Sequence, residues 1–255
     1  RMKTSKMNLA VACVKNKQAD AMISAGNTGA FMACGLFNAG RIPGVERPAL
    51  APILPTIDHK GVLVLDVGAN VEAKPEHLLQ YAKMGEVYAA TIMKKEQPRI
   101  GLLNIGSEAK KGTAVVKETY TQLQQSSLHF TGNVEARDVL FGVCDVLVTD
   151  GFSGNIFLKS VEGMASVLFT ILKTEVTKTT SRKIGAALLK PAFKEVKNRL
   201  DYTEYGGAPL LGLQHTLVKA HGSSDAKGIE KTILQTMSLV EQRVTETIAS
   251  HFSQD

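Results

Sequence analysis

Short apolar runs recur along this chain, and stretches of helical period separate them. ADAMISAG, ALAPILP, GVLVLDVG, RIGLLNIG, DVLVTDG and TLVKAHG have the length of strands. Several are nearly continuous Val, Leu and Ile, the pattern of strands covered on both faces. Between them, PEHLLQYAKMGEVYAATIMKK places Leu78, Leu79, Ala82, Val87 and Ile92 at helical spacing. GTAVVKETYTQLQQS and IFLKSVEGMASVLFTILKTEV read the same way. Strand and helix in alternation predict an α/β fold built on a mostly parallel sheet. The closing segment, SSDAKGIEKTILQTMSLVEQRVTETIASHF, predicts one long helix capped by Ser223 or Ser224.

The block at 181–205, SRKIGAALLKPAFKEVKNRLDYTEY, departs from this rhythm. Arg182, Lys183, Lys190, Lys194, Lys197 and Arg199 face few acids, and Ile184, Leu188, Leu189, Phe193, Val196 and Leu200 recur at helical spacing. Pro191 lacks the amide hydrogen that a helix interior uses, so two short basic amphipathic helices are expected. Together, residues 177–205 form a helical excursion from a single α/β domain, 1–255. Such a surface is either an ordinary solvated face or a platform for an acidic protein or lipid headgroups.

Composition narrows the classes. The chain has 255 residues, 44% of them hydrophobic and 21% charged, which supports a substantial core. No apolar run approaches the roughly 18 residues of a membrane span. The N-terminus, RMKTSKMNLA, has no signal-peptide pattern. Cys13, Cys34 and Cys144 stand in apolar contexts without CxxC spacing and read as reduced packing residues of a cytoplasmic protein. The net charge is +6, with no Trp and 5% aromatic residues. Few stacking surfaces make nucleic acid the weakest partner, ahead of which stand an anionic membrane surface and an acidic protein.

The chemistry concentrates in the turns. SAGNTGA, DVGANVEAKPEH, LNIGSEAKKG, TGNVEARD, TDGFSGN and KAHGSSD each follow an apolar segment, and most run into a helix start. In an open α/β sheet, turns at the carboxyl ends of strands gather on one edge. Glycines there let backbone amides approach a ligand, and helix starts favour anions. Six such turns point to a phosphate or another oxyanion.

Other chemistries lack their signatures. GxGxxG follows no strand, and GSEAKKGT has the wrong spacing for a P-loop. The histidines show neither HxxxH nor HExxH spacing, so no metal is expected. DGFSGN approaches a nucleophile elbow, but Asn155 stands where G-x-S-x-G requires glycine. Asp201 and His221 do follow Ser153 in hydrolase order, and a serine acyl-enzyme stays open beside a non-covalent use of this turn.

Taken together, ISAGNTGA, GRIPGVERPALAPILPT, LDVGANVEAKPEHL, TGNVEARD, VTDGFSGNIFLK, YGGAPLLGL and KAHGSSD resemble the bacterial phosphate acyltransferase of phospholipid synthesis, the PlsX family. The resemblance implies transfer of an acyl group from acyl carrier protein to inorganic phosphate, with glycerol-3-phosphate acyltransferase downstream. It implies a three-layer α/β/α sandwich like that of isocitrate/isopropylmalate dehydrogenases, a homodimer and no cofactor. It further implies peripheral association with the inner face of the membrane. Family members begin with a strand and a DAMGGD-type motif. Nothing like it occurs here, so the chain is expected to start late in the family's N-terminal region.

In the reaction so implied, phosphate is itself the nucleophile, and the protein must position it and stabilise a tetrahedral oxyanion. Candidate catalytic residues are Lys159, His221, Asn155, Ser153 and Asp150. Candidate phosphate or substrate contacts are Asn27, Thr28, Asn70, Lys74, His77, Asn133, Ser223 and Ser224. The basic block suits the acidic carrier protein or the membrane through Arg182, Lys183, Leu188, Leu189, Lys190, Phe193, Lys194, Lys197 and Arg199. A hydrolase or acyltransferase using Ser153 covalently and a non-catalytic binding or scaffold protein are the competing classes.

Overall fold

The computed structural model describes residues 5–199 and 202–253. Leu200 and Asp201, named above, lie outside the described residues. The strands are β1 (Ala21–Ser24), β2 (Ala49–Leu50), β3 (Ile53–Leu54), β4 (Val62–Leu65), β5 (Ile100–Asn104), β6 (Phe130–Glu135), β7 (Val146–Val148), β8 (Ala208–Leu211) and β9 (Thr216–Lys219). The α-helices are α1 (Lys6–Lys15), α2 (Thr28–Cys34), α3 (Pro75–Thr91), α4 (Ala114–Gln125), α5 (Gly151–Val176), α6 (Thr180–Arg199), α7 (Ala226–Glu241) and α8 (Val244–Phe252).

Two mixed sheets replace the expected mostly parallel one. The first runs β3-β4-β7-β5-β6, with β3 antiparallel at one edge and the other neighbours parallel. The second runs β1-β9-β8-β2, where β1 and β9 are parallel and β8 is antiparallel to both β9 and β2. ALAPILP, expected as one strand, is the reason. It supplies β2 to one sheet and β3 to the other, and Ala51 and Pro52 carry the chain across. Ala51 donates its amide to Pro209, and Val64 donates to the Pro52 carbonyl. The segment therefore ties the sheets together.

The continuous apolar strands are covered on both faces. Leu63 and Leu65 of β4 join one core with Leu78, Tyr81 and Met84 of α3. Val62 and Val64 join the other with Phe157 and, partly buried, Leu158 of α5. The two-residue period of a strand sends alternate side chains to opposite sides.

Three helical expectations are corrected. The closing helix breaks at Arg243, which takes a left-handed φ of 53°, so that α8 buries Val244 and Ile248. The cap of α7 is Asp225, whose side chain accepts the Gly228 amide, rather than Ser223 or Ser224. Pro191 does not divide the basic block: α6 runs through it. No residue of α6 is buried, so water can satisfy the carbonyl that the proline ring leaves unpaired. Likewise TGN, read as a turn, lies inside β6.

Helix α5 also changes the membrane reading. Its 26 residues are long and apolar enough to cross a bilayer by length and composition. Lys159 and Glu162 interrupt its apolar run in the sequence. Its start is packed, with Gly151, Gly154 and Phe157 buried. Further along, Met164, Val167, Leu168 and Ile171 are exposed, as are Ile184, Leu188 and Leu189 of α6.

Candidate active site

Strands β4 and β7 run parallel in one sheet and β1 and β9 in the other, so the turns after each pair lie on a common edge. One cavity receives both sets. Its lining includes Thr28 after β1, Val67 and Gly68 after β4, Asn155 and Lys159 of α5, and Lys219 and His221 at the end of β9. Leu50, Pro52 and Ile53 of the crossing segment supply an apolar wall.

The turn after β4 is organised by Asp66. Its fully buried carboxylate accepts the amides of Leu50 (3.0 Å), Gly68 (3.2 Å), Ala69 (2.9 Å) and Asn70 (2.6 Å). Burial pushes its pKa up, against the pull of these donors. The DVGAN turn is thereby wound around one side chain.

TDGFSGN then presses against that turn. Asp150 caps α5, accepting the amides of Phe152 (3.0 Å) and Ser153 (2.8 Å). Gly151 donates to the Asn70 carbonyl at 2.9 Å. A Cβ on Gly151 or Gly154 would collide with the backbone of Asn70 or Asp66. At Gly68, φ is +129° and a Cβ would stand 2.8 Å from Asn155 Nδ2. The glycines of both motifs thus permit one close approach, which brings Asn155 over the DVGAN turn.

Asn155, Leu158, Lys159 and Glu162 share one face of α5 and line the cavity. Lys159 Nζ lies 2.6 Å from Glu162 Oε2, and the lysine side chain is 58% exposed. Glu162 Oε1 is buried without a hydrogen-bond partner among the described residues. Across from it, His221 Nδ1 accepts the Ser223 amide at 3.2 Å and lies 2.6 Å from Ser223 Oγ. The amide contact requires a bare Nδ1, so the neutral ring carries its hydrogen on Nε2.

The remaining candidates are placed as follows. Asn27 caps α2 through the Ala30 amide, beside the cavity-lining Thr28. Ser223 holds His221, and Ser224 donates its amide to the His221 carbonyl. Asn70 bonds Pro48, Asp66 and Tyr81. Lys74 begins α3, with its amide on His77 Nδ1, and His77 is buried with Nε2 3.0 Å from Glu46. Asn133 lies on edge strand β6, donating to the Glu108 carbonyl. Asn70, Lys74, His77 and Asn133 do not line the cavity.

Asp66, Glu162 and Lys219 went unread in the sequence. Asp66 and Lys219 each stand at the carboxyl end of an apolar strand, and Glu162 lies three residues after Lys159. Strand-end charge and helical spacing were the available signals.

Known proteins resemble this chain in sequence and in fold. The family described as "Fatty acid synthesis protein" matches residues 1–247. The chain is 55% identical over 248 residues to a phosphate acyltransferase of Shouchella clausii (strain KSM-K16), covering 97% of this chain and 75% of that protein. It is 53% identical over 254 residues to a phosphate acyltransferase of Bacillus licheniformis, covering 100% and 77%. Among solved structures it is similar to a phosphotransacetylase from Streptococcus pyogenes, with a TM-score of 0.61 at 18% identity, covering 92% of this chain and 67% of that one. A branched-chain phosphotransacylase from Enterococcus faecalis V583 gives 0.56 at 16% identity, covering 92% and 78%. At those identities the structural likeness concerns the fold.

Proposed function

The chain belongs to the fatty acid synthesis protein family, and on that premise we propose that its cavity is where inorganic phosphate meets an acyl thioester. The protein is a phosphate acyltransferase, converting acyl-[acyl carrier protein] and phosphate to acyl phosphate and free carrier protein. The supporting observation is the convergence of four Gly-rich turns on a cavity lined by lysines, an imidazole, an amide and apolar residues.

The step balances without a cofactor. An oxygen of hydrogen phosphate attacks the thioester carbonyl carbon, forming a C–O bond and a tetrahedral oxyanion. Collapse breaks the C–S bond, and the phosphate's proton ends on the departing thiol. Asn155 Nδ2 and the hydroxyl of Thr28 are assigned as hydrogen-bond donors to the reacting oxygens. His221, whose Nδ1 is held by Ser223, is assigned to the oxyanion or the departing sulfur. Lys159, at the solvent side, draws anions in. Asp150, Ser153, Asn27 and Ser224 shape the turns, and Asn70, Lys74, His77 and Asn133 support the loops beneath.

The α5–α6 hairpin is assigned to contacts beyond the domain. Its basic residues suit the acidic carrier protein, and Leu188, Leu189 and Phe193 suit a homodimer seam or the headgroup layer of a membrane. Residues 1–255 are read as one α/β/α unit of the isocitrate/isopropylmalate dehydrogenase kind, which the coverage of β4 by α3 and α5 supports. Glycerol-3-phosphate acyltransferase is the proposed recipient of the product.

Release of carrier-protein thiol, followed with a thiol reagent, tests the reaction. Release that requires phosphate supports it. Equal release without phosphate means hydrolysis and contradicts it.

A further inference from the structure

We infer that Lys219 is the ammonium that holds the phosphate in this cavity, with Lys159 confined to guiding anions at its mouth. The inference rests on the reaction proposed above and assigns the anion contact within it.

Strand alternation isolates Lys219. Leu217 belongs to the core shared with Leu50, Val64 and Phe157, while Val218 belongs to the opposite one. The two-residue period sends Lys219 to the Leu217 side, where the pattern calls for an apolar residue. A lysine stands there instead, only 9% exposed and lining the cavity.

Its bonding is incomplete for an ammonium. Nζ donates to the Ala220 carbonyl at 2.5 Å, and no carboxylate among the described residues pairs with it. An ammonium has three N–H donors, so two are left for something in the cavity. A buried, uncompensated charge is among the costliest groups a fold can carry. Desolvation, then the nearby Lys159 charge, lowers its pKa, as expected of a cation lacking its counterion. An anion in the cavity would supply that counterion.

Lys159 differs on each point. It is exposed, and Glu162 already neutralises it at 2.6 Å. Exposed, paired charges contribute little to binding because water and salt screen them. Of the two cavity lysines, the buried one without a carboxylate therefore has more to gain from a phosphate. The close fit of Gly207 under β9, where a Cβ would stand 2.7 Å from the Lys219 carbonyl, keeps the strand end in place.

Initial rates of acyl phosphate formation at varied phosphate decide the matter, with variants checked by thermal melting. Lys219→Met should lower kcat/KM for phosphate by about 100-fold or more, the scale of losing one electrostatic donor from a dry site. KM for acyl carrier protein should hold. Lys159→Met should lower kcat/KM for phosphate by less than about tenfold. A Lys219→Met enzyme within about threefold of the parent, or a larger loss at Lys159, overturns the inference. A parent that makes no acyl phosphate overturns instead the reaction beneath it.

A second measurement needs no variant. In the unaltered chain, saturating inorganic phosphate should slow acetylation of Lys219 by acetic anhydride, read by mass spectrometry, and leave Lys190 unaffected. Equal labelling of Lys219 with and without phosphate contradicts the assignment.

Discussion

Gly154 lies so close to the carbonyl oxygen of Asp66 that a Cβ there would overlap it. This contact joins TDGFSGN to DVGAN and fixes where Asn155 and Lys159 stand. Gly154→Ala should therefore destabilise the protein by about 3 kcal/mol, the upper range for overpacking. Gly163 of the same helix has nothing within 4 Å of a built Cβ. Gly163→Ala should instead stabilise by up to about 1 kcal/mol. Urea unfolding midpoints of the two variants should move in opposite directions.

Asp145 is a buried acid away from the cavity, held by two cations. It accepts from Lys95 at 2.8 Å and from Arg99 Nε and backbone N at 3.0 and 2.9 Å. Burial resists its ionisation, but hydrogen bonds from Arg99 and Lys95 outweigh burial and hold the carboxyl well below the usual range. A depressed folded pKa contributes stability above the unfolded value, about 3.9, and loses it as pH falls further. Asp145→Asn should cost about 3 kcal/mol at pH 7 and flatten the loss of stability below about pH 4. Chemical denaturation across that window measures both.

Ser153 and Asn155 separate non-covalent from covalent catalysis. Ser153 gives its amide to Asp150 and does not line the cavity, whereas Asn155 does. Ser153→Ala should retain acyl phosphate synthesis. Asn155→Ala should lower kcat by about 10²-fold or more. Abolition of turnover by Ser153→Ala, with fold and substrate binding intact, would restore the nucleophile elbow.

Lys190, Lys194 and Lys197 lie on an exposed helix with no buried residue, so charge reversal there should leave the fold intact. The triple change to Glu should raise KM for acyl carrier protein or release the protein from anionic vesicles, as kinetics and flotation would show. No change in either measurement contradicts the platform assignment.

Much of this arrangement was legible before the structure. Nearly unbroken apolar runs marked β4, β5, β7 and β9, and the helical period of Leu78, Ala82 and Val87 marked α3. Four of the six Gly-rich turns marked the cavity edge, while LNIGSEAKKG and TGNVEARD supply none of its lining. What escaped depends on tertiary context. Two-residue strands such as β2 and β3 carry no period, so ALAPILP could not be seen to join two sheets. The break at Arg243 follows from the packing of α8 on α3, not from a local glycine or proline. Pro191 obeys its usual rule only where the freed carbonyl lacks water. Lys219 went unread because only the assignment of Leu217 and Val218 to opposite cores shows which face it occupies.

In the proposed reaction this cavity joins phosphate to an acyl group without a covalent enzyme intermediate. Incubation of the protein with acyl-[acyl carrier protein] and ³²P-labelled phosphate tests it directly. Labelled acyl phosphate should form in step with free carrier protein, with no acyl group retained on the protein. Unlabelled free fatty acid with an acyl group trapped on Ser153, or no turnover at all, would contradict it.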